Sequence, residues 1–304
     1  MLARSARLIL MMELLIYLAA GAAAMKFAAW SLCDAVLAAY AIALALRAGG
    51  VTLSFAVALG HSSPVPTEHR LGPGGWLKLF FFELGANIAI YNFYQPFEPW
   101  LVDNAKPLPP GRVPVLLVHG YVCNGGFMLP LKRALEARGI GARTHNLEPV
   151  YAGLDDYADA LARRIEEVCA AAGTDRLILV AHSMGGLAAR AYLRKFGGAR
   201  LAKLVTLGSP HHGTVMARFG AGENGRQMVP GNAWLEQLNR SEFVVPTVAV
   251  FSHHDNIVAP QESAILAGAK TVRLSGIGHV SMPFSRRIQA AVLEECPSEM
   301  PGKG

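Results

Sequence analysis

Ser183 stands in the segment Val180-Ala181-His182-Ser183-Met184-Gly185-Gly186, where a hydroxyl could be presented on a sharp turn for nucleophilic attack. A serine is a poor nucleophile until a neighbouring base takes its proton, and the base needs an acid to orient it. When the nucleophile sits on a strand-to-helix turn, the partners follow it in the order acid, then histidine. Asp255 is the only aspartate between Ser183 and His279, and His279 is the only histidine after Asp255. The expected catalytic set is therefore Ser183, Asp255 and His279, which together could carry acyl transfer through a covalent ester. The rival readings are local: Asp255 as a cap or turn residue, His279 as a surface-loop histidine. Glu223, Glu236, Glu242 and Glu262 are reserve acids, but none directly follows a convincing core strand.

Acyl transfer also needs two donors for the tetrahedral oxyanion. One is expected from the backbone N–H of Met184, next to the nucleophile. The other is expected from Tyr121 in Val118-His119-Gly120-Tyr121-Val122, through its backbone rather than its phenol. His119 and Gly120 are read as shaping that loop, and His182 and Gly185 as supporting the turn. The pairs His211-His212 and His253-His254 invite a metal reading. Adjacent loop histidines cannot easily share one tetrahedral site, and no third ligand is evident, so packing near the site is expected and neither metal nor cofactor.

These residues need strand ends to hold them. From residue 113 short apolar runs alternate with helical ones, as in a parallel sheet with crossover helices. The expected strands are Val113–Val118, Ala142–Asn146, Leu177–Ala181, Leu204–Leu207, Thr247–Phe251 and Thr271–Leu274, with helices over Tyr157–Ala172, Leu187–Phe196 and Ser281–Glu295. Because both faces of such a sheet are covered, its strands can be continuously apolar. Ser183, Asp255 and His279 then all follow strand carboxyl ends, where sites in open sheets gather.

The first third of the chain is different. Leu8 to Met25 is apolar apart from Glu13, and Phe27 to Leu46 is apolar apart from Asp34, each long enough to cross most or all of a bilayer as a helix. A membrane hairpin over residues 1–60 is the leading expectation. A cleaved signal peptide ending near Ala22 to Ala24, or a helical pair packed on the enzyme, are the alternatives. Arg4 and Arg7, with Arg47 after two crossings, put the following domain on the cytoplasmic side by the positive-inside tendency, though Val51 to Leu59 would reverse this if it made another crossing. Residues 61–112 carry eight prolines and an aromatic stretch from Trp76 to Trp100, read as a connector with an interfacial or docking helix near Trp76 to Tyr91. The boundary is placed at Pro107 to Pro110.

Composition agrees with contact to lipid. The chain has 304 residues, of which 52% are hydrophobic and only 16% charged, with a mean hydropathy of +0.31. The net charge of +6 is scattered, without the basic run a nucleic-acid surface needs, so attraction to anionic lipid is the better account. Cys33, Cys123, Cys169 and Cys296 form no CxxC pair and are read as isolated thiols.

Over roughly residues 112–296 the sequence resembles the α/β-hydrolase superfamily, and within it bacterial lipases and esterases with a His-Gly oxyanion motif. The likeness rests on Val118-His119-Gly120-Tyr121, Ala181-His182-Ser183-Met184-Gly185, Gly208-Ser209-Pro210-His211-His212-Gly213-Thr214, Asp255-Asn256-Ile257-Val258 and Gly278-His279. Ala181 replaces the usual first glycine of the turn. The resemblance implies a mostly parallel sheet of about six strands flanked by helices, a catalytic domain over 113–296 with a lid or cap near 214–245, and a tail over 297–304. It also implies a serine esterase or lipase acting on carboxylic esters of lipid or acyl type; the apolar N-terminus, which the resemblance does not cover, sets the expected place as a bacterial inner membrane. Some such lipases hold calcium, but its carboxylates are not identifiable here. An acyltransferase using the same triad, or a membrane scaffold that only binds, are the other functions the sequence allows.

Overall fold

The structure, a computed structural model, describes residues 1–110, 112–241 and 244–296. Glu242 and the expected tail lie outside them. Six strands, β1 Val115–Val118, β2 Ala142–His145, β3 Leu177–His182, β4 Leu201–Leu207, β5 Thr247–Ser252 and β6 Lys270–Leu274, form one sheet in the order β2-β1-β3-β4-β5-β6. Every neighbouring pair is parallel. The chain leaves β1 toward β2 and leaves β3 toward β4, so the order reverses between β1 and β3. A crevice forms there outside the strand carboxyl ends.

Helices cover both faces of the sheet, and two long ones precede it. They are α1 Leu2–Phe27, α2 Leu32–Leu59, α3 Pro73–Ala89, α4 Glu98–Leu101, α5 Leu129–Glu136, α6 Leu154–Ala172, α7 Met184–Phe196, α8 Gly222–Gln227, α9 Ala233–Asn239 and α10 Arg286–Glu294. Alternate strand residues feed two cores: Leu116, Val118, Leu177 and Leu179 pack with α6 and α7, whereas Val115, Leu117, Ile178 and Val180 pack with α5 and α10. This accounts for the unbroken apolar strands. In α6 the buried stripe Leu154, Tyr157, Ala158, Leu161, Ile165, Val168 follows the helical repeat, and Gly173 ends the helix in the left-handed region. Burying Leu161 or Ile165 contributes about 1.5–3 kcal/mol each.

Strand ends differ from the expected ones by one to three residues. The helix expected from Ser281 starts only at Arg286, since Pro283 sits in a 3-10 turn and Ser285 caps the helix by accepting from the Ile288 N–H. A further helix, α3, begins at Pro73 and runs into a π-helical turn, Ile90–Tyr94.

The two N-terminal helices are each long and apolar enough to cross a membrane. Both acids that interrupt their apolar runs are accounted for. Asp34 closes a capping box with Ser31 at the start of α2, and Glu13 takes both guanidinium nitrogens of Arg47, at 2.8 and 2.9 Å. Arg47 therefore lies inside α2 as an ion-pair partner, not as a charge flanking a span, and Val51 to Leu59 continues α2 instead of making another crossing. The N-terminal end of α1 returns to the sheet domain: the Met1 ammonium pairs with Glu148 at 2.7 Å, and Arg7 donates to the Pro96 carbonyl. From there α1 exposes Leu8, Ile9, Met11, Met12, Leu15 and Ile16.

The stretch 61–112 is more than a connector. Leu79 and Leu84 of α3 are buried against Val51 and Phe55 of α2, and Ala86 and Ile90 enter the same core as Val115 and Leu117. The proline cluster at 107–110 thus separates segments that share one core.

Candidate active site

β3 ends at His182, and Ser183 turns the chain into α7 with φ +55° and ψ −128°. A non-glycine residue in this region is strained and persists only where the surroundings over-determine it. Here the Ser183 N–H donates to the Leu207 carbonyl at 2.8 Å. Two glycines make room. A Cβ on Gly120 would lie 2.8 Å from the Ser183 Cβ and 3.2 Å from its Oγ, and a Cβ on Gly185 would lie 2.6 Å from the His119 carbonyl oxygen. Side chains at either position would press the oxyanion-side loop away from the turn.

His279 and Asp255 are both buried and joined by a 2.7 Å hydrogen bond from Nδ1 to Oδ2. The other carboxylate oxygen of Asp255 accepts from the backbone N–H groups of Ile257 and Val258, each at 2.8 Å. The backbone N–H of His279 donates to Asn256 Oδ1 at 2.9 Å. Ser183 and His279 line one cavity of about 250 Å3, together with Gly120, Tyr121, Cys123, Phe127, His182 and Asn256. Burial pushes the Cys123 thiol up to about 12, so at neutral pH it is no competing nucleophile.

On the oxyanion side, Met184 opens α7, where the first N–H groups lack intrahelical acceptors and the dipole favours negative charge. Tyr121 lines the cavity, while its phenol is occupied elsewhere, donating to the Ala221 carbonyl and accepting from the Ala221 N–H. Val122 beside it has φ +49°, a second strained residue in this loop. His119 is a brace: Nε2 accepts from the Leu147 N–H at 3.0 Å, which leaves Nδ1 to donate to the Gly120 carbonyl at 2.8 Å. Burial holds it neutral, with its pKa lowered to about 4. His182 packs between the Phe127 and His279 rings, 4.5 Å from each, and contacts the His279 carbonyl at 3.2 Å. Its burial, with His279 nearby, keeps its pKa well below the usual histidine range.

The histidine pairs are engaged by protein groups. His211 contacts Thr206 and Arg190, His212 accepts from Asn239, His254 accepts from the Gly276 N–H, and His253 packs on His69. Among the described residues, no group of three or more His, Cys, Asp or Glu is arranged to hold a metal ion.

The rest of the cavity wall was not foreseen. Of the stretch expected as a lid or cap, the described residues between 214 and 241 form a 3-10 turn, Val215–Phe219, and the helices α8 and α9. Residues of α2 (Gly50, Val51 and Ser54), of α3 (Glu83 and Asn87) and of the π turn after it (Tyr91) also line the cavity. Glu83 is wholly buried. A lone acid inside Leu79-Phe80-Phe81-Phe82-Glu83-Leu84 was the available signal for it. Asn87 and Tyr91 also face a groove that runs on between α1 and α2 past Leu10, Glu13 and Arg47.

A family model described as the alpha/beta hydrolase fold matches residues 113–224. A Bacillus licheniformis lipase in its mature form superposes with a TM-score of 0.56 at 17% identity, covering 64% of this chain and 95% of that one. The sheet domain has the α/β-hydrolase fold. A second structure with this fold, Aspergillus fumigatus lipase B, gives a TM-score of 0.55 at 17% identity over 63% of this chain and 54% of that one. In sequence, triacylglycerol lipases of Pseudarthrobacter phenanthrenivorans and Burkholderia plantarii are each 29% identical over 116 residues, 36% of this chain. The match spans 36% and 32% of those lipases, so the chain covers about a third of the relatives' length. In this fold, Ser183, Asp255 and His279 follow the carboxyl ends of β3, β5 and β6.

Proposed function

We propose that the protein is a membrane-associated serine hydrolase that cleaves carboxylic esters, of lipid or other acyl type, through Ser183, His279 and Asp255. The observation that carries the reading is the buried 2.7 Å His279–Asp255 bond opening onto the same cavity as the strained Ser183 turn. His279 Nε2 takes the Ser183 proton as Oγ bonds to the ester carbonyl carbon. The oxyanion accepts from the N–H groups of Tyr121 and Met184, and Asp255 steadies the imidazolium. Collapse expels the alcohol, which takes the proton from His279 and leaves an acyl group on Ser183. Water, deprotonated by His279, repeats the sequence and releases the acid.

The lipase relatives favour an ester or lipid substrate. Membrane association is favoured by α1 and α2, whose outer parts expose Leu, Ile and Met side chains to the surroundings. The Arg7 contact with the Pro96 carbonyl ties α1 to the rest of the fold and, by the positive-inside tendency, supports a cytoplasmic catalytic domain at a bacterial inner membrane.

The test is ester hydrolysis by the detergent-solubilised full chain. Ser183→Ala should abolish turnover, and a fluorophosphonate should label Ser183 in the parent protein. Turnover retained in Ser183→Ala, or an active protein unlabelled at Ser183, overturns the mechanism.

A further inference from the structure

Glu83 is a wholly buried carboxylate to which the mechanism above gives no part. Leaving an acid in an apolar interior is unfavourable unless its oxygens are hydrogen-bonded. Both are: Oε1 accepts from the Val280 N–H at 2.8 Å and Oε2 from the Ser281 N–H at 2.9 Å, the two amides directly after His279. On the other side of His279, a Cβ added to Gly278 would overlap the same carboxylate. The acid therefore grips the turn before and after the base. The backbone N–H of His279 itself donates to Asn256 Oδ1, and the side-chain amide of Asn256 donates in turn to Ser54 of α2 at 2.7 Å. Burial outweighs its hydrogen bonds to Val280 and Ser281 and the nearby His279, and raises the Glu83 pKa above the ordinary carboxylate value.

We propose that Glu83 is a positioning residue for His279: clasped on consecutive amides, it fixes the Gly278–Ser281 turn so that the imidazole is aimed at Ser183. The proposal rests on the triad reading of the preceding subsection. It makes the N-terminal helices part of the catalytic apparatus, because α3, which carries Glu83, is seated against α2 through Leu79, Leu84, Val51 and Phe55. The face of α3 that bears Glu83 continues one turn on to Asn87, and then to Tyr91, both lining the cavity.

The experiment uses the full chain in detergent with a p-nitrophenyl ester, rates being divided by the Ser183 sites that a fluorophosphonate titrates. Glu83→Gln puts an amide NH2 against one of the two backbone donors and loosens the turn. Misplacement of a reacting group by about 1 Å costs about 10²-fold, so kcat per site should fall by about that factor, with KM within about twofold. Leu161→Ala, which opens a cavity in the α6 core away from α3 and the turn, should lower Tm but keep kcat per site. Full kcat per site in Glu83→Gln overturns the role, as does an equal loss of kcat in Leu161→Ala. Should Glu83→Gln not fold, Gly278→Ala displaces the carboxyl group while leaving Glu83 in the chain and should lose kcat in the same way; full kcat there overturns the role. Ser183→Ala is run alongside. If it is inactive while Glu83→Gln is fully active, only the positioning role fails. If Ser183→Ala is active, the triad reading fails and takes the positioning role with it.

Discussion

Replacing Asp255 by asparagine changes one atom, and the structure fixes which way the new amide points. Oδ1 of Asp255 accepts two backbone N–H groups at 2.8 Å, from Ile257 and Val258. Turning the amide so that its NH2 met those donors would leave two buried N–H groups unsatisfied, at about 1–3 kcal/mol each. That is about 2–6 kcal/mol in total, so the turned state is populated at most a few per cent. The oxygen therefore stays with the loop, and the NH2 faces His279 Nδ1. Nδ1 must then accept, which moves the ring proton to Nε2, the nitrogen that should take the Ser183 proton. The wrong tautomer at a buried triad lowers kcat by about 10⁴, equivalent to about 5 kcal/mol of barrier. The assay is p-nitrophenyl ester turnover per fluorophosphonate-titrated site, with thermal melts showing the fold retained. A loss under tenfold, or one equal to that of Glu262→Gln, refutes the assignment of Asp255.

Gly120→Ala should slow fluorophosphonate labelling of Ser183 by at least about 10²-fold, since its Cβ would sit 2.8 Å from the Ser183 Cβ; labelling at the parent rate would show that the loop yields freely. Gly185→Ala, with its Cβ 2.6 Å from the His119 carbonyl oxygen, should destabilise the fold by about 1–3 kcal/mol, read as a lowered Tm. His119 is buried and neutral with a pKa of about 4 against an ordinary value of 6.5. The unfolded chain therefore binds a proton that the folded chain refuses, and stability is lost as pH falls below about 6.5 toward 4. Between pH 7.5 and 5 this amounts to roughly 2 kcal/mol, and melts of His119→Asn should show a pH dependence smaller by that amount; an unchanged dependence would contradict the buried neutral state. Membranes carrying the full chain should retain it through an alkaline carbonate wash, and release into the supernatant would argue against an embedded hairpin.

Much of the fold and of the candidate site was legible along the chain. Apolar runs marked the inner strands β1, β3, β4 and β5, because a strand covered on both faces must be largely apolar, whereas the edge strands β2 and β6 carry Arg143, His145, Lys270 and Arg273; strand ends plus chain order singled out Ser183, Asp255 and His279. Their pairing could be argued only from that order; the 2.7 Å contact between His279 and Asp255 is a product of folding. What the tertiary structure alone decided is the wall of the site. Glu83 lies 197 residues from Val280, and Ser54 lies 202 from Asn256, distances over which no helical or strand period carries information. The same holds for Glu13 and Arg47, two charges that interrupt separate apolar runs and become one ion pair when α1 and α2 pack. A sequence records which faces of an element must be buried, but the partner that buries them is chosen by packing. For this reason the apolar N-terminal third looked like an appendage in the sequence and forms part of the cavity wall in the fold.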